Sequence, residues 1–176
     1  MMWTSNDLKG LSPRQIAYRV LNFSVVIASA LMAWEAYRIL TNCESPIVVV
    51  LSGSMEPAFQ RGDLLLLTNH EEDPVNAGDI VVFKIAGRVV PIVHRVMKIH
   101  QNGNGTLKIL TKGDNNSVND RSLYSPGTAW LDRKNIVGRV RGFVPYVGWL
   151  SLGLQESPRL KYSILGILGL TALIRP

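Results

Sequence analysis

Apolar residues form an uncharged run near the start of the chain, from position 20 to position 34. A helix needs about 20 such residues to cross a bilayer, and the flanking Arg19 and Arg38 can extend the run because their long side chains reach the headgroups. These features predict one transmembrane signal-anchor helix over residues 18–40. Lys and Arg are more frequent before this segment than directly after it, so the positive-inside rule assigns residues 1–17 to the cytosol. A cleaved signal peptide and a buried core helix are the alternatives.

A second apolar stretch covers residues 162–174, close to the end of the chain. Its thirteen residues are too few to cross a bilayer alone. We therefore predict a short apolar, membrane-associated helix within residues 156–176. A second full span is the alternative, and it would return the C-terminus to the cytosol.

Between these segments, residues 41–155 change to short β-branched runs bounded by Gly, Asp and Pro, which is typical of strands. The Asn-Gly-Asn-Gly run at residues 102–105 predicts a hairpin turn. We expect a mainly β fold, with an antiparallel, coiled, barrel-like domain between the N-terminal transmembrane helix and the short C-terminal helix. The predicted strands cover residues 46–51, which we expect to be buried, and residues 64–68, 80–84, 88–100, 106–111 and 136–144.

Composition supports a domain with membrane-embedded segments, because 47% of the residues are hydrophobic and only 18% are charged. The net charge of +6 is not accompanied by an aromatic-plus-basic motif, so we do not expect a nucleic-acid partner. The single cysteine, Cys43, cannot form an intrachain disulfide or a zinc motif. A catalytic thiol at Cys43 is a weak alternative. We expect no metal ion and no cofactor.

Ser54 is the candidate nucleophile, in the run Ser-Gly-Ser-Met-Glu-Pro at residues 52–57. The run follows a predicted strand, Gly53 permits unusual backbone angles and Pro57 stiffens the exit. An ordinary turn explains such a segment equally well when it is considered alone. The run is not the Gly-x-Ser-x-Gly elbow, which argues against an α/β-hydrolase.

A serine hydroxyl needs a base within hydrogen-bond reach, and His94 is the best candidate. Strand alternation places it on one face with Ile92 and Val96, a partly apolar setting that keeps an imidazole neutral. His70 and His100 lie at loop-like ends and are weaker candidates. Desolvated lysines are a further alternative, and Lys84 and Lys112 lie near the motifs.

A histidine base is usually oriented by a carboxylate. The segment at residues 113–121 offers Asp114 and Asp120, and an aspartate in such a Gly-Asp-Asn-Asn string is usually a turn residue. The residues alone leave the choice between these carboxylates open. The segment also holds Asn115, one of two Asn-x-Ser/Thr sequons that we expect on the lumenal side; the other is at Asn104. We expect Asn115 to be bare, because a glycan would obstruct the site, whereas Asn104 in the predicted hairpin can carry one.

Taken together, these motifs closely resemble the type I signal peptidases over nearly the whole chain. Bacterial members pair the serine with a lysine at the position of His94, so the sequence looks most like the eukaryotic endoplasmic-reticulum branch, whose members are catalytic subunits of a complex. The motifs are Ser-Gly-Ser-Met-Glu-Pro at 52–57, Arg-Gly-Asp at 61–63, Gly-Asp-Ile-Val-Val-Phe at 78–83, His-Arg-Val at 94–96, Gly-Asp-Asn-Asn at 113–116 and Val-Gly-Arg-Val-Arg-Gly-Phe-Val-Pro-Tyr at 137–146.

The resemblance implies a serine endopeptidase with Ser54 as nucleophile, His94 as general base and Asp120 as the residue that orients the histidine. Asp114 stays a rival or supporting carboxylate. The Ser54 backbone N–H, with the Ser52 hydroxyl, is expected to stabilise the oxyanion.

The implied substrates are signal peptides of nascent secretory proteins, cleaved after small residues on the lumenal side. The implied partners are other subunits of a signal peptidase complex, the endoplasmic-reticulum membrane and the translocon. The implied topology is single-pass type II. Two alternatives stay open: a non-enzymatic, membrane-anchored β-domain that acts as a scaffold, and a Ser-Lys peptidase.

Overall fold

A computed structural model describes residues 12–70, 72–101, 106–125 and 127–174. The chain divides into two compact units. One consists of residues 1–36 and 154–176, and the other is a β-rich unit over Tyr37–Gly153. The predicted hairpin at residues 102–105, which includes the sequon at Asn104, lies outside the described residues, as does most of the predicted cytosolic segment.

Helix α1 covers Pro13–Thr41 and begins five residues before the predicted span. Ser12 and Gln15 explain the early start, because each accepts a hydrogen bond from the other's backbone N–H and so caps the first turn. The helix ends at Thr41, and the next residue, Asn42, adopts the left-handed conformation at φ 47° that is common after a helix. By length and composition, α1 is able to cross a membrane.

The β-rich unit is one curled sheet of seven strands, in the order β1-β2-β7-β3-β4-β5-β6. Every neighbouring pair is antiparallel, and register shifts interrupt three of the pairs. The expected mainly β, antiparallel, barrel-like fold is confirmed. The strands are β1 (Ile47–Val49), β2 (Leu64–Thr68), β3 (Ile80–Phe83), β4 (Ile92–Gln101), β5 (Leu107–Lys112), β6 (Leu131–Asp132) and β7 (Ile136–Val144).

Two strand predictions needed correction, and one further strand was not predicted. The first predicted strand is shorter than expected and only half-buried, because β1 lies at the edge of the sheet. Residues 88–91 do not continue into β4, because Gly87 at φ 86° and the Arg88 N–H bonded to the Ile85 carbonyl form a turn. Pro91 has no N–H to donate to a ladder and directly precedes the strand. The two-residue β6 was not predicted.

Alternation along the strands builds one hydrophobic cluster on each face of the sheet. The first core cluster includes Val81, Phe83 and Val96, and the second includes Met55, Leu65 and Val82. Because adjacent residues of β3 belong to different clusters, the sheet is buried on both faces where the candidate site residues lie.

Two helices follow the sheet. Helix α2 covers Gly148–Glu156, in a part of the chain where no helix was predicted. Gly62, at φ 93°, accommodates the Trp149 indole, since a Cβ at position 62 would lie 2.3 Å from that ring. Helix α3 covers Pro158–Ile174 and begins four residues before the predicted apolar stretch.

Candidate active site

The segment that carries Ser54 is fixed to the core on both sides of the serine. Upstream, the Val50 N–H donates to the Asp63 carbonyl and the Val50 carbonyl accepts from the Gly62 N–H, both at 2.9 Å. Downstream, the Met55 side chain is fully buried in the second core cluster. Ser54 itself is half-buried, so this anchoring holds its hydroxyl in a defined position that a substrate can reach.

Two side chains lie within hydrogen-bond distance of the Ser54 hydroxyl. His94 Nε2 is 3.2 Å from Ser54 Oγ, and Ser52 Oγ is 3.3 Å from the same atom. A base in contact with the hydroxyl is what activation of a serine requires. The neighbouring Ser52 hydroxyl is a second polar group at the place where a substrate carbonyl would be attacked.

His94 lies on β4 opposite Val81 of β3, and its side chain shares the face of the sheet that carries the first core cluster. Only 5% of the side chain is exposed. The Phe83 ring packs edge-on against the imidazole, with centroids 6.3 Å apart. The predicted apolar setting of His94 is therefore present.

Asp120 contacts the other nitrogen of the imidazole. Its Oδ2 lies 2.6 Å from His94 Nδ1, and 1% of its side chain is exposed. Because an ionised carboxylate only accepts hydrogen bonds, we assign the proton to Nδ1, which leaves the Nε2 lone pair facing Ser54. Asp120 begins a 3-10 turn, Asp120–Ser122, and Asn119 caps that turn by accepting from the Arg121 N–H.

Asp114 has a different partner. Its two carboxylate oxygens accept hydrogen bonds from Arg95 Nε at 2.9 Å and Arg95 Nη2 at 2.6 Å. This hydrogen bonding raises the pKa of Arg95 above its ordinary value, so the guanidinium stays charged. Arg95 follows His94 on β4, and its side chain points to the opposite face. Of the two candidate carboxylates, the structure brings Asp120 to the imidazole and Asp114 to the guanidinium.

The turn at residues 113–116 also contacts the segment of the candidate nucleophile directly. The Asn115 N–H donates to the Ser54 carbonyl at 2.9 Å, and its side-chain amide donates to the Gly53 carbonyl at 3.2 Å. A Cβ at Gly113 would lie 2.7 Å from the Ser54 carbonyl oxygen and 2.9 Å from His94 Nε2. Only glycine fits this approach without displacing one of those atoms.

The alternative bases lie elsewhere. His70 is exposed, and the exposed His100 stacks near Trp130. Lys84 pairs with Glu44 at 3.1 Å on the surface. Lys112 is the cross-strand partner of Arg95, so its side chain projects from the face opposite His94.

Cys43 is buried and donates its thiol proton to the Val137 carbonyl. Burial raises the pKa of the Cys43 thiol, which disfavours the thiolate that a catalytic cysteine needs. Among the residues that the structure describes, no three His, Cys, Asp or Glu side chains group as metal ligands. The chemistry that this arrangement supports is attack by an activated serine.

Sequence reasoning did not identify Thr111, Tyr124 and Asn115 as parts of this site. Thr111 Oγ1 lies 2.6 Å from Asp120 Oδ2, and Tyr124 contacts Thr111 in turn. One signal was present in the sequence: alternation along β5 places the Thr111 hydroxyl in register with Leu107 and Ile109, on an otherwise apolar face. Asn115 contacts Ser54, which lies 61 positions earlier in the chain, so no local sequence pattern indicates this contact.

The sequence of the chain is similar to those of known proteins. The family model described as Peptidase S24-like matches residues 27–141. The chain is 57% identical over 169 residues to the human signal peptidase complex catalytic subunit SEC11C, covering 96% of this chain and 88% of the relative. It is 50% identical over 189 aligned positions to the signal peptidase complex catalytic subunit SEC11 of Schizophyllum commune, and the alignment covers 97% of this chain and 98% of the relative. The chain therefore belongs to the S24-like serine peptidases and, among them, to the family of signal peptidase complex catalytic subunits.

Proposed function

We propose that this chain removes N-terminal signal peptides from secretory and membrane proteins on the lumenal side of the endoplasmic reticulum. In this proposal it cleaves after small residues, with Ser54 as nucleophile, His94 as general base and Asp120 as the residue that orients the base. The observation that carries the proposal is the chain of hydrogen bonds from Ser54 Oγ through the imidazole to Asp120.

The mechanism begins with attack of Ser54 Oγ on the scissile carbonyl carbon. His94 Nε2 takes the serine proton as the bond forms, and Asp120 stabilises the imidazolium that results. The same Nε2 then gives its proton to the leaving amine, and an acyl-enzyme remains. Water attacks the acyl-enzyme with His94 again as base, which releases the signal peptide and restores the serine hydroxyl.

The tetrahedral intermediate carries a negative charge on the former carbonyl oxygen, and this charge needs donors. The Ser54 backbone N–H and the Ser52 hydroxyl are the groups we assign to it. The 3.3 Å distance between the Ser52 and Ser54 hydroxyl oxygens supports this role, because it puts the Ser52 donor beside the reacting centre.

We further propose that α1 anchors the enzyme as a single-pass type II protein, with the β-rich unit in the lumen. The 29-residue length of α1 and the excess of Lys and Arg on its N-terminal side support this topology. Helix α3 has 17 residues, about 25 Å of helix, which suits partial entry into the bilayer or a place in its interface. The partners in this proposal are the other subunits of a signal peptidase complex and the translocon.

The topology is tested through the Asn104 sequon in membranes active in N-glycosylation. A lumenal β-rich unit predicts a glycosidase-sensitive mass shift that Asn104→Gln abolishes. No shift should arise at Asn115, because its amide already binds the Gly53 carbonyl. The outcome against the proposal is a chain that stays unmodified even when a longer insertion with an added acceptor sequon is placed at residues 102–105.

The catalytic assignment is tested with Ser54→Ala in the purified, fully assembled complex. We expect cleavage of a preprotein to fall by about 10⁴-fold or more, because removal of a triad nucleophile leaves only binding and oxyanion stabilisation. A serine-reactive phosphonate should label the wild-type chain at Ser54 and leave the variant unlabelled.

Ser117→Ala is the matched control, because this exposed serine lies in the Gly113–Arg121 loop without a contact to the triad. It should retain wild-type cleavage and labelling. Near-normal cleavage by an assembled Ser54→Ala complex would show that the serine mechanism is wrong.

A further inference from the structure

The buried carboxylate of Asp120 has a second hydrogen-bond donor besides the imidazole. Burial destabilises the charged form of a carboxylate unless donors replace the lost water. Both His94 Nδ1 and Thr111 Oγ1 lie 2.6 Å from Asp120 Oδ2. The negative charge beside His94 is therefore shared with a threonine hydroxyl that is itself fully buried.

The direction of each hydrogen bond in this cluster follows from counting protons. A threonine hydroxyl has one proton, and the ionised Asp120 can only accept, so Thr111 donates that proton to Oδ2. The 3.0 Å contact between Thr111 Oγ1 and Tyr124 Oη must then be donated by the tyrosine. Tyr124 Oη accepts in return from the Thr111 backbone N–H at 2.9 Å. The donors run in one direction, from Tyr124 through Thr111 to Asp120.

The fold holds these groups in place from several elements. Thr111 pairs with Val96 across β4 and β5, so it shares a face with His94. Tyr124 follows the 3-10 turn that begins with Asp120. The Phe83 ring packs edge-on against both His94 and Tyr124, with centroids 6.3 and 6.4 Å away. This packing keeps the cluster dry, and burial raises the pKa of the Tyr124 hydroxyl, so Tyr124 remains a donor at neutral pH.

We propose that Thr111 and Tyr124 are positioning residues for the reaction: together they hold the ionised Asp120 carboxylate on His94 Nδ1. The inference rests on the proposed Ser54–His94–Asp120 mechanism. Neither residue touches the substrate. Thr111 acts on Asp120 directly, and Tyr124 acts by orienting the Thr111 hydroxyl.

The proposal has a consequence for pH dependence. The active form of the pair, neutral His94 with ionised Asp120, carries a net negative charge that the Thr111 hydroxyl stabilises. Protonation of the pair removes that net charge, so loss of the donor destabilises the active form more than the protonated form. Loss of the donor therefore favours the protonated form of the pair and moves the acid limb of the kcat/KM profile to higher pH.

Thr111→Val tests this in the assembled complex, because valine keeps the β-branched shape and removes the hydroxyl. We expect kcat/KM for preprotein cleavage to fall by about 10- to 100-fold, the range for loss of a hydrogen bond to a charged group. The acid limb should move upward by about half a pH unit or more. Thr111→Ser, which restores the hydroxyl, should recover both the rate and the limb.

Tyr124→Phe should move the limb in the same direction by a smaller amount, and it should add little in a Thr111→Val background because both changes act through Asp120. Thr68→Val is the matched control, since this strand threonine accepts from Arg141 on the surface. Its rate and acid limb should equal those of the wild type.

If an assembled Thr111→Val complex keeps the wild-type acid limb, the inference about Thr111 and Tyr124 is wrong. If Asp120→Asn is inactive in the same assay, the proposed Ser54–His94–Asp120 mechanism is still supported. Full activity of Asp120→Asn would overturn both. If Thr111→Val does not assemble, Tyr124→Phe decides: an upward shift supports the inference, and an unmoved limb overturns it.

Discussion

The proposed nucleophile Ser54 and the proposed base His94 are held in two different environments. Ser54 is half-buried and is followed by Met55, whose side chain is fully buried in the second core cluster. His94 and Asp120 lie on the face of the first core cluster, with exposed fractions of 4% and 1%. The contrast has a physical reason, because a nucleophile must reach the substrate whereas a charge pair gains strength from the exclusion of water.

One loop, at residues 113–121, joins the two environments. Its first residues contact the nucleophile segment through the Asn115 N–H and the Ser54 carbonyl. Its last residues bring Asp120 to His94 Nδ1. We therefore expect the loop to set the separation between Ser54 and His94. Its two aspartates make different contacts: Asp120 contacts the imidazole, whereas Asp114 binds Arg95 and so holds the loop to β4.

The largest effect that separates these two carboxylates is expected from Asp120→Asn. An amide at this position keeps the shape but loses the charge and favours the wrong imidazole tautomer, so cleavage by the assembled complex should fall by about 10⁴-fold. Asp114→Asn should cost less, about 10²-fold, because it loosens the loop that positions Ser54 without removing the partner of His94. Initial rates of preprotein cleavage measure both.

The two changes should also differ in how they combine with a change at Arg95. Asp114→Asn acts through the guanidinium, so adding Arg95→Gln to it should cost little more. The carboxylate of Asp120 binds His94 and Thr111 rather than Arg95. The loss of activity from Asp120→Asn, expressed as a free energy, should therefore add in full to the loss from Arg95→Gln. Equal losses from the two aspartate variants, or full additivity in both combinations, would contradict the division of roles.

The sequence predicts much of the fold because the strands are strongly patterned. Strands β2 and β7 begin and end where the alternation and the β-branched runs predicted. Strand β4 was extended too far, because an exposed Val-Val pair next to Pro91 is indistinguishable from a strand by composition alone. Helix α2 was missed because its nine residues are too short to establish a helical period.

For the site, the residues alone favoured Ser54 as nucleophile and His94 over the other histidines, but they left the choice between Asp114 and Asp120 open. Resemblance to a family favoured Asp120, and the distances among Ser54, His94 and Asp120 are consistent with it. The pairing of Arg95 with Asp114 could not be predicted from the sequence. It depends on the face of β4 to which Arg95 points and on the position of the loop that carries Asp114. Contacts of this kind arise from register and loop closure, which no local pattern encodes.

Gly113→Ala tests the loop at the point where the two environments meet, with a smaller change than loss of a triad charge. The added Cβ would approach the Ser54 carbonyl oxygen to 2.7 Å and His94 Nε2 to 2.9 Å, so one of these groups must move. A displacement of that kind should lower single-turnover cleavage by about 10²-fold while the complex still assembles, since misplacement of reacting groups by about 1 Å has that cost. Gly142→Ala is the control, because its Cβ would meet only Leu66 at an ordinary 3.9 Å. If both glycine variants cleave at the wild-type rate, the loop does not set the separation between nucleophile and base, and the positions of Ser54 and His94 are determined by the two core clusters alone.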